Sequence, residues 1–311
     1  MLDNSMFGRY KKQLRLFGFT FLPSLVCGLI KGPGLHFFCR KNLPGSERQQ
    51  LFQYLFTAIE REATKNNLPL CFTNVLGKEV ELIAMLERNG CHRTLSYPLN
   101  SLEIQWPDFA GYLRHVRCVN GGKKYDKTVI GLEIKRNRKA GVHIEEVEDP
   151  APEEERLFSL LELNCRDHNQ VSFSFRSNFL SRLKANLGTN AVILRARKNG
   201  ETTGVCLILK RGNIWHGSMV GIDHELAGND FTYFNLAYYR PIADAIAARA
   251  QRIFYGNGLN KTKGRRGCIA WRTYVYYKSN HRLKQILLQP WFVLHRNWYE
   301  KKHVQSVKLF G

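Results

Sequence analysis

The stretch AVILRARKNGETTGVCLILKRGNIWHGSMVGID, residues 191–223, limits the possible folds of this chain more than any other. Three apolar runs are joined by two short polar breaks. Asn199-Gly200 is the dipeptide that most readily takes the two positive φ angles of a tight hairpin, and Arg211–Asn213 supplies the second turn. The segment therefore predicts a three-stranded antiparallel meander. Before it, PEEERLFSLLELNCRDHN opens with proline and acids, as a helix N-terminus prefers. After it, FTYFNLAYYRPIADAIAARA reads as a helix with a kink or break at Pro241. RIFYGN and CIAWRTYVYY then read as strands. The order is helix, meander, helix, strand, loop, strand, an α/β arrangement.

The first half is also α/β. SERQQLFQYLFTAIEREAT begins with a Ser-x-x-Gln pattern compatible with a helix cap. PLCFTNV is a short strand, and KEVELIAMLERNG is a second helix closed by Gly90. CHRTLSYPLNSLEIQW is extended around Pro98, and DFAGYLRHVR starts a helix at Asp108. From Arg114 to Lys139 there are nine Lys or Arg against two acids, and then seven acids between Glu145 and Glu155. This switch, with two prolines, marks the expected boundary between a domain of residues 1–141 and one of residues 142–311.

Hydrophobic residues make up 44% of the 311, enough to bury a substantial core. The net charge of +21 is larger than solubility requires and points to a polyanionic partner. Eight scattered cysteines form no CxxC pair, as expected of reduced thiols in a cytoplasmic protein, and no metal site is expected. The apolar run from Phe17 to Ile30 is broken by Pro23 and too short to span a bilayer; Val26 before Cys27 is wrong for lipoprotein cleavage. It reads as a buried strand and loop, with no integral membrane association.

Three stretches resemble one known family. LEIKRNRKAGVHIEEVED resembles the basic helix, ending in Ala-Gly-Val, that leads into the second domain of Fem-like aminoacyltransferases. DFTYFNLAYYRPIADAIAARAQRIFYGNG resembles their aromatic-rich helix followed by a strand, and NKTKGRRGC their Lys-x-x-Arg-Gly loop. The related peptidoglycan-biosynthesis and BioF2-like acyltransferase domains share these features. The resemblance implies two GNAT-like domains, each a mixed, mainly antiparallel sheet flanked by helices. The long helical-hairpin arm of some cell-wall Fem enzymes has no room in this sequence.

What the resemblance implies for chemistry is transfer of an amino acid from aminoacyl-tRNA to the amine of a peptide or small molecule, without cofactor. The acceptor could belong to cell-wall or specialised-metabolite synthesis. Acyl transfer to an amine develops an oxyanion that needs a preorganised donor or cation. Lys263, the family-like lysine, is the candidate for that role. Asp230 and His224 are candidate general bases, although Asp230 also suits a helix cap. Tyr238, Tyr239 and Arg240 are consecutive on a helix, so they are not all expected to face one surface. Phe234, Tyr238 and Ile242 are assigned to the core; Asn235, Tyr239, Tyr255 and Asn257 are candidates to bind acyl group and acceptor. Arg265 and Arg266, with Lys261, Arg136 and Arg138, are candidates for tRNA phosphates, one of the adjacent arginines facing solvent.

The pyrophosphate-binding turn of acetyl-CoA enzymes is missing after the meander, which weakens a coenzyme A donor. From Arg249 to Gly311 there are fourteen Lys or Arg and a single acid, Glu300, and the last segment interleaves aromatics with cations. An acyl-CoA or carrier-dependent N-acyltransferase and a non-catalytic RNA-binding protein remain open alternatives.

Overall fold

The computed structural model describes residues 23–28, 37, 39–40, 42–119, 129–167, 178–299 and 309–310, in two compact units. Unit 1 takes Met1–Asn100, Asn257–Lys261 and Ile269–Gly311; unit 2 takes Ser101–Gly256 and Thr262–Cys268. The division falls at Asn100, not at the 141/142 composition switch. The reason is packing: Tyr112, Val116 and Ile130, all upstream of the switch, lie in the core of unit 2.

The chain begins with β1 (Leu25–Cys27), α1 (Gly45–Lys65), β2 (Leu70–Leu76), α2 (Val80–Arg88), β3 (His92–Leu95) and β4 (Leu99–Glu103). The Ser-x-x-Gln pattern does not cap α1. Pro44 is its N-cap, and the Pro44 carbonyl accepts the Arg48 N–H at 2.9 Å. Gly90 ends α2 with a φ of +74°, a value that L side chains rarely adopt.

Unit 2 continues with α3 (Phe109–Val119), where the Asp108 carboxylate accepts the Gly111 N–H at 2.6 Å as an N-cap does. Next come α4 (Ile130–Lys139), β5 (His143–Glu146), α5 (Glu154–Asp167) and α6 (Phe179–Leu187). The meander follows as β6 (Ala191–Lys198), β7 (Glu201–Arg211) and β8 (Ile214–Ile222), antiparallel in order. Asn199 and Gly200 take φ of 53° and 87°, and Lys198 pairs with Glu201 across them. A short helix α7 (His224–Ala227) precedes a composite helix α8 over residues 232–247, then β9 (Arg252–Asn257) and α9 (Asn260–Gly264).

The sheet of unit 2 runs β4-β9-β8-β7-β6-β5, with β8 and β9 parallel and joined by α8. Its central strands are apolar without alternation because helices cover both faces. Val192, Leu194, Cys206 and Ile208 face a core with residues of α3, α4 and α8. Ile193, Val205 and Leu207 face the opposite core, with Leu157, Leu160 and Leu180 of α5 and α6.

The chain then returns to unit 1 as β10 (Ile269–Trp271), β11 (Thr273–Lys278), α10 (Arg282–Tyr299) and β12 (Leu309–Phe310). Strand β11 inserts antiparallel between β2 and β3, giving the sheet order β1-β2-β11-β3. Phe56 and Ala63 of α1 and Leu82, Met85 and Leu86 of α2 pack on Phe72 and Tyr276 of this sheet. The fold is α/β, with mixed, mainly antiparallel sheets flanked by helices. Within the run from Phe17 to Ile30 the described strand is β1, paired parallel with β2; the rest of that run lies outside the described residues, except for a bend at Pro23 and Gly28 and an irregular Ser24. Among the described residues no helix is long and apolar enough to cross a membrane.

Candidate active site

The expected loop around Lys263 is in part a helical turn, α9. Its Lys-x-x-Arg spacing of three puts Lys263 and Arg266 on one side of that turn. The Arg266 and Cys268 N–H groups both donate to the Lys263 carbonyl, at 2.9 and 3.1 Å. Gly267 closes the turn with a φ of +82°. Lys263 is 4% exposed. Its Nζ donates to the carbonyls of Tyr255 at 2.7 Å and Gly256 at 3.2 Å, at the end of β9. Burial drives the amine down to about 8, against a small upward pull from Cys268.

Strands β8 and β9 pair from Ile214–Arg252 to His216–Phe254, just short of those two carbonyls. In the same stretch β8 carries a bulge. Leu207 pairs with Met219 and Ile208 with Gly217, so Ser218 is the extra residue. The Tyr255 ring lies against Gly217, where an added Cβ would come within 3.2 Å of it. Lys263 thus stands at the carboxyl end of two parallel strands joined by a crossover helix, a usual place for ligand sites in α/β sheets.

Arg266 is 2% exposed and paired with Glu133 of α4 at 2.7 Å. Its other nitrogens include Nη1, which donates to the Thr262 carbonyl at 2.9 Å. Three rings enclose the guanidinium, with centroids 4.0 Å away for Phe234, 5.1 Å for Tyr238 and 5.5 Å for Tyr239. Burial opposes its charge, but Tyr239, Glu133 and Tyr238 more than compensate and hold its pKa above the ordinary value. Tyr239 donates its hydroxyl to the same Glu133 oxygen, and Tyr112 donates to the Arg266 carbonyl at 3.1 Å. Arg266, expected at tRNA phosphates, is thus buried and paired within unit 2. Its charge is paired internally, and its side chain ties the Lys263 turn to α4.

The rings converge because α8 is not a regular α-helix. Thr232–Phe234 and Arg240–Ala247 are α-helical, but Asn235–Tyr239 is a π-turn, and all five of its residues are buried. Pro241 has no N–H for the carbonyl four residues earlier, and the wider turn sits immediately before it. The π-turn points both Tyr238 and Tyr239 toward Arg266, while Arg240 does not join them, so the three consecutive residues do not all share one face. Phe234 and Tyr238 are in the core as expected, yet they also form part of this cage. Arg240 turns elsewhere, to Asp244 at 2.9 Å and the Ile144 carbonyl at 2.7 Å.

The other expected site residues are distributed more widely. Asn235 donates to the Glu133 and Phe231 carbonyls at 3.2 and 2.9 Å, tying α8 to α4. The Asp230 carboxylate accepts the Thr232 N–H and hydroxyl at 2.9 and 2.7 Å and pairs with Lys198 at 3.2 Å. That is the geometry of a helix start, the capping arrangement that the sequence also suited. His224 is exposed at the beginning of α7. The Tyr255 hydroxyl is buried, lacks a hydrogen-bond partner among the described residues, and is held protonated by burial. Asn257 belongs to unit 1, exposed, where it donates to Asn74 and the Tyr97 carbonyl at 3.0 Å each. Arg265, Lys261, Arg136 and Arg138 are exposed, so one of the adjacent arginines faces solvent as expected. Burial pushes the Cys268 thiol up to about 12, which keeps it un-ionised and unsuited to nucleophilic attack. No group of three His, Cys, Asp or Glu side chains that could hold a metal ion occurs among the described residues.

Glu133 escaped the sequence reading. The signal was present: Ile130, Glu133 and Asn137 share one face of α4, and that face is buried while the basic residues point outward. An acid on a buried stripe implies a buried cation, but only the fold identifies Arg266 as that cation.

Similar folds occur in several solved structures. The C-terminal domain of a putative lysylphosphatidylglycerol synthetase from Agrobacterium fabrum superposes with a TM-score of 0.56 at 11% identity, over 81% of this chain and 79% of that one. L-PGS from Bacillus licheniformis gives 0.52 at 13% identity, over 78% and 79%. FemX gives 0.50 at 9% identity, over 77% and 79%. At such identities the likeness is one of fold. No curated protein is significantly similar to the chain in sequence. A sequence profile described as FemAB-like, peptidoglycan biosynthesis/recognition, matches residues 13–308. With nearly the whole chain matched, this protein belongs to the FemAB-like family.

Proposed function

We propose that this protein is an aminoacyltransferase that uses aminoacyl-tRNA to extend an amine-bearing peptide or small molecule, with a cell-wall peptide as the favoured acceptor. The observation that carries the reading is Lys263: a buried amine at the carboxyl end of β9, held by two backbone carbonyls and braced by the Arg266–Glu133 pair. In the reaction the acceptor amine attacks the ester carbonyl of the charged tRNA. A C–N bond forms, the ester C–O bond to the ribose breaks, and the amine proton passes to the departing hydroxyl. Protonated Lys263 stabilises the oxyanion or the leaving oxygen. The bulge at Ser218 supplies a further place where backbone N–H groups can meet an acyl oxygen. Membership of a family described by peptidoglycan biosynthesis supports the acceptor class, and FemX is among the structures of similar fold. The net charge of +21 and the exposed Lys261, Arg265, Arg136 and Arg138 support a tRNA donor.

The test is transfer of a radiolabelled amino acid from charged tRNA to amine acceptors, with and without ribonuclease. Product that disappears with ribonuclease is expected. Transfer that survives ribonuclease and depends on an added acyl-CoA would replace this reading with coenzyme A-dependent acylation. RNA binding with no transfer to any amine, and no effect of Lys263→Met, would make the chain a binding protein.

A further inference from the structure

We infer that the outward face of α10 docks this protein on an anionic membrane surface. One face of the helix is committed to unit 1. Phe292 packs edge-on against Tyr277 at 6.2 Å, His295 Nδ1 lies 2.9 Å from Thr94 Oγ1, and Gln285 donates to the Gly90 carbonyl at 2.9 Å. The opposite face is apolar where solvent-facing polar residues are the rule. Leu283, Ile286, Val293 and Leu294 are 77%, 53%, 48% and 62% exposed, and Pro290 between them is exposed as well. Their spacing makes one continuous stripe, about 17 Å long at 1.5 Å per residue. Single exposed leucines are ordinary, but a contiguous stripe marks an interaction surface.

Charge selects the occupant. The sequence of α10 contains no acid, and from Arg282 to Lys308 there are six Lys or Arg against Glu300 alone. An aliphatic stripe with tryptophan and cations in the same segment is the pattern of a helix lying in a bilayer interface, drawn there by anionic headgroups. Nucleic acid satisfies the cations but offers leucine and isoleucine nothing to stack on. A second copy of this chain would bring two strongly basic segments together. The inference is independent of the acyl-transfer reading, because it concerns a helix face of unit 1 that shares no residue with the Lys263 turn of unit 2 and is tested without donor or acceptor.

The experiment is vesicle flotation of the full chain with phosphatidylcholine alone and with phosphatidylcholine mixed with phosphatidylglycerol. The comparison is with the triple variant Leu283→Gln, Ile286→Gln, Leu294→Gln, which keeps the net charge and alters exposed side chains only. The wild type is expected to float with the anionic vesicles, and the variant to bind them roughly tenfold more weakly or worse. A thermal melt matching the wild type shows that the variant is folded. Equal binding of both proteins to anionic vesicles would overturn the role of the stripe, as would failure of the wild type to bind. Equal wild-type binding to both vesicle types would overturn the charge argument. Light scattering that shows a wild-type dimer abolished by the variant would assign the stripe to self-association. Loss of RNA binding alone in the variant would assign it to nucleic acid.

Discussion

Lys263 is held where an ammonium ion is costly in free energy. Burial brings its amine to about 8, while in the unfolded chain lysine stays protonated to about pH 10.4. Between those values the unfolded state holds more protons, so stability rises with pH across that window. Activity that depends on the cation runs the other way and falls as pH rises through about 8. Lys263→Met should therefore lose roughly a hundred- to a thousand-fold in rate. It should also lose the rise in stability between pH 8 and 10, as read from denaturant melts at each pH. Glu133 is the second decisive residue. Glu133→Gln leaves the guanidinium of Arg266 buried without its counter-charge and should cost about 3–5 kcal/mol in urea unfolding. A loss near zero would mean that the pair is not what braces the turn.

At the scale of elements, one turn arranges the rings around Arg266 and one close approach seats a helix on the opposite face of the sheet. The π-turn in α8 is the first, since it sets Tyr238 and Tyr239 around Arg266. The second is the contact of α5 with β8 at Gly221, where a Cβ would stand 2.1 Å from the Leu160 carbonyl oxygen. Backbone cannot yield there as a flexible side chain would. Gly221→Ala should therefore destabilise by about 1–3 kcal/mol or more, with α5 forced off the sheet. Hydrogen exchange of the α5 amides is the sensitive measurement, and unchanged protection would show that the helix adjusts without loss.

For the molecule as a whole, chain order and charge matter most. Unit 1 closes only when the C-terminal segment returns, because β11 is the strand between β2 and β3. A chain ending at Cys268 should leave β3 without its partner and lose the protease resistance of residues 45–95, while unit 2 retains its core. Limited proteolysis with mass spectrometry reads this directly. The net charge of +21 predicts RNA binding that weakens steeply with salt, its affinity falling roughly tenfold to a thousandfold between 50 and 200 mM. A flat salt response would remove the electrostatic argument for a tRNA donor.

Much of the fold is legible in the sequence because its determinants are local. Asn199-Gly200 requires a tight hairpin, apolar runs define β6 to β8, Asp108 caps α3, and Gly90 ends α2. The Lys-x-x-Arg-Gly spacing likewise put Lys263 and Arg266 together in one turn. What the sequence could not decide is where each charge goes. Arg265 and Arg266 are adjacent and chemically identical, yet one is exposed and the other is enclosed by three rings and Glu133, 133 positions away in the chain. Burial, counter-charge and the widened turn of α8 arise from long-range packing, and no local rule specifies them. The sequence by itself determined which elements form and which lysine to examine. Only the tertiary structure decided that Arg266 is buried against Glu133 and that the Lys263 amine is buried against two backbone carbonyls, because desolvation and ion pairing depend on which elements the fold brings together.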